Sequence, residues 1–152
     1  STRDLPLPRG GACRGGAVRY ESRDAPQGRA NCHCRACQHA TGGAYAPVLL
    51  VPAAGFSATG PMRRHEVLGD SGNRVARAFC ERCGTTLYAH TTRVETMRPV
   101  YAVTLDHPEL FRPDLDCWVE AAQSWMVMDP ALPKFPRDPP ARLAGIRKPG
   151  RD

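Results

Sequence analysis

Cys32-His33-Cys34-Arg35-Ala36-Cys37 is the stretch that decides how the rest of the chain is read. A C-x-C-x-x-C run places three thiols within one short loop and helix start, close enough to share one ion at Zn–S distances of about 2.3 Å. Three thiolates leave one tetrahedral position open. An open position is how a catalytic zinc admits water or substrate, whereas structural sites are usually closed by four protein ligands. A second cluster, Cys80-Glu81-Arg82-Cys83-Gly84, follows a strand pattern, with Gly84 suited to the tight turn of a zinc knuckle. Cys13 stands alone near the start of the body and is the natural third ligand for that cluster. A redox C-x-x-C is the other use of Cys80 and Cys83, but it normally opens a helix in a βαβ setting, which is missing here. The seventh cysteine, Cys117, sits in a strand pattern beside Trp118 and reads as a core thiol.

Working outward, the 152 residues amount to about one domain. With 41% hydrophobic and 24% charged residues, the composition is that of a soluble globular protein. The aromatic supply is small (Phe 4, Trp 2, Tyr 4), so something beyond packing is needed to hold the fold, and the cysteines suggest metal. Their odd number and tight C-x-x-C spacing point to metal in a reducing cytoplasm rather than to a secreted disulfide framework. No run approaches the ~18 apolar residues of a membrane span, and the best, 44–54, is broken by Pro47 and Pro52. The opening residues show no apolar signal-peptide core. A cytoplasmic location without membrane contact is therefore the expectation.

The net charge of +6 comes from 21 basic against 15 acidic residues, and its location matters more than its size. From Pro130 onward there are six Lys and Arg against two Asp, while the body at 10–129 is nearly balanced. A nucleic-acid surface would concentrate cations on the folded body, so no nucleic-acid partner is expected.

Three regions follow: an N-terminal arm at 1–9, a body at 10–130, and a basic tail at 131–152. The tail holds Pro133, Pro136, Pro139, Pro140 and Pro149, too many for a helix interior or a central strand. It is expected to lie extended over the body, pinned by Leu132 and Phe135. Strands are expected at 17–21, 45–51, 74–79, 85–90, 100–105 and 117–120, with helical turns at 35–41 and 107–111. The body is mainly β.

At the cysteines the chain resembles the glutathione-dependent formaldehyde-activating enzyme family, which includes centromere protein V-like domains. The matching elements are Gly10-Gly11-Ala12-Cys13-Arg14-Gly15-Gly16-Ala17-Val18-Arg19-Tyr20, Cys32 to Cys37, and Phe79-Cys80-Glu81-Arg82-Cys83-Gly84. Leu105-Asp106 and the stretch from Trp118 to Trp125 extend the likeness to roughly residues 10–130. The resemblance implies an Mss4-like folded β-sheet with short helices and zinc-binding loops. It also implies two zinc sites, a structural one on Cys13, Cys80 and Cys83, and a catalytic one on Cys32, Cys34 and Cys37. The family's early motif is C-x-C-G, and here Gly15 stands where the second cysteine belongs. The structural site has then lost a thiolate, and its fourth ligand must be water, a histidine from elsewhere, or nothing. Asp116 stands where relatives often carry histidine.

The activity the resemblance implies is that of S-(hydroxymethyl)glutathione synthase, joining glutathione and formaldehyde; its reverse is a carbon–sulfur lyase reaction. Three thiolates give a zinc site a formal charge of −1, which dampens Lewis acidity and favours delivery of a thiol over activation of water. His33 is weighed as a general acid/base against an ordinary turn or surface histidine, because alternation points it away from the metal. His39 is expected to face solvent, and His90 is a replacement ligand or a surface histidine. Arg35, Arg63 and Arg64 are weighed as carboxylate binders against a solvated charged face, and Tyr45 and Trp118 as pocket walls against core. Two other readings stay open: a zinc-stabilised binding module whose basic tail recruits a partner, and an enzyme of this type specialised for a different metabolite.

Overall fold

The computed structural model describes residues 9–140. Residues 1–8 of the arm expected at 1–9 and residues 141–152 of the tail expected at 131–152 lie outside them. Ten strands run in chain order: β1 (Arg9–Ala12), β2 (Arg19–Ser22), β3 (Gly28–Cys32), β4 (Ala46–Pro52), β5 (Phe56–Thr59), β6 (Met62–Leu68), β7 (Arg74–Cys80), β8 (Thr86–Thr91), β9 (Met97–Tyr101) and β10 (Leu115–Cys117). One short helix, α1 (Arg35–Thr41), and several 3-10 turns join them. The chain is mainly β, as its patterning implied.

The strands form a three-stranded sheet, β1-β2-β5, and a seven-stranded sheet ordered β10-β3-β4-β9-β8-β7-β6. Pairing is antiparallel throughout except for β10, which runs parallel to β3. β4 is an almost unbroken apolar run, the mark of a strand buried on both faces. Leu49 and Val51 join Val18, Tyr20, Tyr88 and Val100 in one core, while Ala46 and Val48 join Cys37, Tyr101, Leu115 and Trp118 in a second. The large sheet is therefore packed on both sides, and the cysteine loop belongs to the second core.

Departures from the expected elements have local causes. The strand expected at 100–105 ends at Tyr101 and turns into a 3-10 segment at Ala102–Thr104. The strand expected at 117–120 stops after Cys117, because Trp118 takes a left-handed conformation with φ 56°. That conformation is uncommon for a non-glycine residue, and four contacts hold it. The indole Nε1 donates to Asp138 at 2.9 Å, and the backbone N–H donates to the Arg137 carbonyl at 3.1 Å. Arg137 stacks over the ring at 5.4 Å, and Val119 N–H donates to the Phe135 carbonyl. β1, β3, β5 and β6 were not foreseen. β6 reads Met-Arg-Arg-His-Glu-Val-Leu because it is an edge strand, where charge discourages pairing with another chain. In β8, Leu87 is an extra residue between the pairs Ala78↔Tyr88 and Phe79↔Thr86, and both Leu87 and Tyr88 enter the first core.

Residues 133–138 run beside β10. Asp116 N–H donates to the Pro133 carbonyl at 3.0 Å and Phe135 N–H to the Asp116 carbonyl at 2.9 Å, and the Phe135 ring packs on the second core.

Candidate functional site

β3 delivers Cys32 at its last position, and the chain then turns into α1 with Cys34 as N-cap. The Cys34 sulfur accepts the Cys37 N–H at 3.3 Å, so the helix start itself folds the loop back on its thiols. The three sulfurs of Cys32, Cys34 and Cys37 lie within 4.8 Å of one another. Without a cation such a group holds its protons. Cys37 is pushed up to about 12, first by its hydrogen bond with Cys32 and further by burial. Cys34 also rises to about 12, since its bond with Cys37 and burial outweigh the opposing bond with Cys32. Cys32 is raised as well, chiefly by its hydrogen bond with Cys117. A soft divalent ion resolves this crowding by replacing the protons. The donor set fits one.

The triad opens on a cavity of about 170 Å³ walled by Val48, Tyr101, Leu115 and Trp118. Three arginines reach it. Arg29 is held by Asp114 at 2.6 Å, and Arg93 lies 3.6 Å from Asp138. Arg77 has no carboxylate partner among the described residues. Its Nε donates to the Tyr101 hydroxyl at 2.6 Å, and its Nη2 stands 3.9 Å from the Cys37 sulfur. A fixed guanidinium against the thiols favours anionic groups in the cavity. The signal for Arg77 was present in the sequence, as an arginine on the Val75 and Phe79 side of an alternating strand.

His33 points the other way and is fully buried, which rules out the surface reading. Its Nε2 is 2.8 Å from Asp116 Oδ1, and its ring lies 5.2 Å from that of Tyr45. The second Asp116 oxygen accepts from Lys134 Nζ at 3.1 Å. His33 is thus a structural pin between two thiols and does not line the cavity. Tyr45 packs behind it, whereas Trp118 does form a wall. Arg35 bonds Gln38, and Arg63 pairs with Glu81 on the far edge strand; neither they nor Arg64 line the cavity. His39 is exposed, as expected.

The second triad, Cys13, Cys80 and Cys83, also gathers its sulfurs within 4.8 Å. β7 ends at Cys80, and Gly84 takes φ 78° to close the knuckle, with its N–H on the Cys80 carbonyl at 2.8 Å. Backbone N–H groups converge on these sulfurs. Val18 donates to Cys13 at 3.3 Å. Cys83 is pulled down to about 6 by the Thr85 hydroxyl first, then by the N–H groups of Thr85 and Gly15. Such bonds favour the thiolate, so this triad also suits a metal ion. His90 does not complete it; it lies further along β8, beside Tyr88. A Cβ at position 15 would stand 3.7 Å from the Cys83 Cβ and 3.8 Å from its sulfur. Gly15→Cys is therefore expected to tighten metal binding at this triad by about 100-fold, one thiolate's share of a structural zinc site. Competition with a chromophoric chelator under reducing conditions measures it, and unchanged affinity would show that position 15 does not face the ion.

A family profile described as glutathione-dependent formaldehyde-activating enzyme matches residues 8–121, which spans both triads and β10. The chain belongs to that family. The formaldehyde-activating family match thus takes in all six clustered cysteines. Among solved structures, the chain is similar to a Rhodobacter sphaeroides protein at 13% identity and a TM-score of 0.53, covering 83% of this chain and 98% of the other. That likeness concerns the fold. No curated protein matches the sequence. Among the described residues, no helix is long and apolar enough to cross a membrane.

Proposed function

We propose that this protein is a zinc-dependent cytoplasmic enzyme that joins a small thiol such as glutathione to formaldehyde or a related electrophile, and that in reverse it acts as a carbon–sulfur lyase. The observation that carries this reading is the position of the Cys32, Cys34 and Cys37 triad at the wall of a cavity, with Arg77, which has no carboxylate partner among the described residues, against it. Cys32, Cys34 and Cys37 would hold the catalytic zinc, and Cys13, Cys80 and Cys83 a structural one. When bound, zinc supplies a site at which a substrate thiol ionises at neutral pH.

The remaining work falls to the chain. Arg77, fixed by Tyr101, supplies the positive charge that draws an anionic substrate toward the cavity. Val48, Leu115 and Trp118 exclude water, which strengthens every charge interaction inside. Holding both small reactants together supplies much of the rate gain. In the reaction the S–H adds across the carbonyl: a carbon–sulfur bond forms, the C=O π bond opens, and the proton ends on oxygen. Arg77 is the cavity arginine that contacts the triad, so it is placed to steady negative charge on that oxygen.

Calorimetry with glutathione and with S-methylglutathione on zinc-loaded protein tests the reading. The methylated analogue keeps both carboxylates and lacks the thiol. Its affinity is expected to fall at least about 100-fold, the scale of one lost charged contact, and glutathione with formaldehyde should give the adduct faster than the uncatalysed mixture. Equal binding of the two ligands would reject thiol capture. Metal retention with no thiol binding at all would favour the binding-module reading.

A further inference from the structure

We propose that Cys32 and Cys117 are a redox pair, joined by a disulfide when a peroxide reaches the cavity, and that this bond takes Cys32 out of the metal triad. The two residues are register partners on the parallel strands β3 and β10. Neighbouring strands lie about 4.8 Å apart, inside the roughly 4.4–6.8 Å Cα range of disulfides. Register partners also send their side chains from the same face of a sheet. Both residues accordingly line the same cavity. Cys117 is nonetheless no member of the close-set group formed by Cys32, Cys34 and Cys37. It is a spare thiol beside a ligand, which is the arrangement of a resolving cysteine.

The two residues differ in exposure. Cys117 is 7% exposed, while Cys32 is half-buried and open to the cavity. Cys32, as the more exposed residue, is placed to meet the oxidant first. It attacks one peroxide oxygen, the O–O bond breaks, and a sulfenic acid forms on Cys32 as the first water leaves. The Cys117 sulfur then displaces the sulfenic oxygen, the S–S bond forms, and the oxygen leaves with both protons as the second water. Two thiols lose two electrons and one hydrogen peroxide gains them. Backbone movement is small because the strands are already paired, and a thiol reductant reverses the bond by exchange.

The disulfide itself rests on register and shared cavity alone. Its consequence, loss of the metal from the two thiols that remain, rests on the zinc reading above. Treating the full metal-loaded chain with stoichiometric hydrogen peroxide, blocking free thiols and mapping peptides under non-reducing conditions separates the two. The expected result is a loss of two hydrogens, a Cys32–Cys117 cross-link, and metal release to a chromophoric chelator, all reversed by dithiothreitol. In C117A the cross-link is absent and release is slowed by about tenfold or more, since no resolving thiol is at hand. A cross-link mapped within the triad, with C117A releasing metal as fast as the parent, would overturn the proposal. The same mapping on reduced metal-free chain decides the pairing even if no zinc is held: the Cys32–Cys117 bond there supports the pair and leaves the zinc reading alone to fail.

Discussion

Cys34→Ser protein is expected to bind metal in the cavity about 100-fold more weakly and to lose thiol capture with it. The substitution separates two roles of one residue. Cys34 caps α1, its sulfur accepting the Cys37 N–H at 3.3 Å, and serine is among the best residues for that position. The helix start therefore survives, while the soft ligand is gone. Structural zinc sites are worth about 10–16 kcal/mol, so one of four ligands carries about 3 kcal/mol. That corresponds to a fall of about 100-fold in metal affinity. Metal affinity, beside a thermal melt, checks both halves. Metal affinity equal to the parent's, measured by chelator competition on the folded variant, would remove Cys34 from the ligand set.

Asp116→Ala is expected to be the most destabilising single change at the site. Asp116 is 1% exposed, and its two oxygens hold His33 and Lys134. Alanine leaves the fully buried His33 ring without that partner, and its Nδ1 already has none. Breaking a buried pair in this way costs about 3–5 kcal/mol. In a domain of this size each kcal/mol lowers the melting temperature by roughly 2–4 °C, so a drop on the order of 10 °C follows. Asp116→Asn keeps an acceptor for His33 and should recover part of it. Because His33 separates Cys32 from Cys34, metal affinity should also weaken by about 10–100-fold. A melt within about 2 °C of the parent, less than 1 kcal/mol, would show that the pair adds little.

The clustered thiols were legible because their geometry is local. C-x-C-x-x-C spans one loop and one helical turn, and C-x-x-C with Gly84 spans one knuckle, so spacing alone brings the sulfurs near each other. Cys13 was reachable too, since it had no other partner of its kind. What stayed hidden depends on pairing across the chain. Cys117 read as a core thiol, and it is buried; its place beside Cys32 follows from a strand register 85 residues apart. Arg77 read as one charge in a strand, and only the sheet puts it against Cys37. His33 illustrates the limit in the other direction: alternation correctly turned it from the triad, but not toward solvent, because its partner Asp116 comes from β10. Strand ends failed where a single residue changes course, as Trp118 does.

The parallel pairing of β10 with β3 also sets an order of events during synthesis. Cys37 leaves the ribosome 80 residues before Cys117, a delay of roughly 4–16 s at translation rates of about 5–20 residues per second. Through that interval the wall formed by Leu115, Cys117 and Trp118 does not exist. Closing it is a long-range contact, the slow kind in a folding chain. The nascent loop is thus open to an arriving ion well before its cavity is built, so metal delivery and the completion of the pocket are separate steps in time.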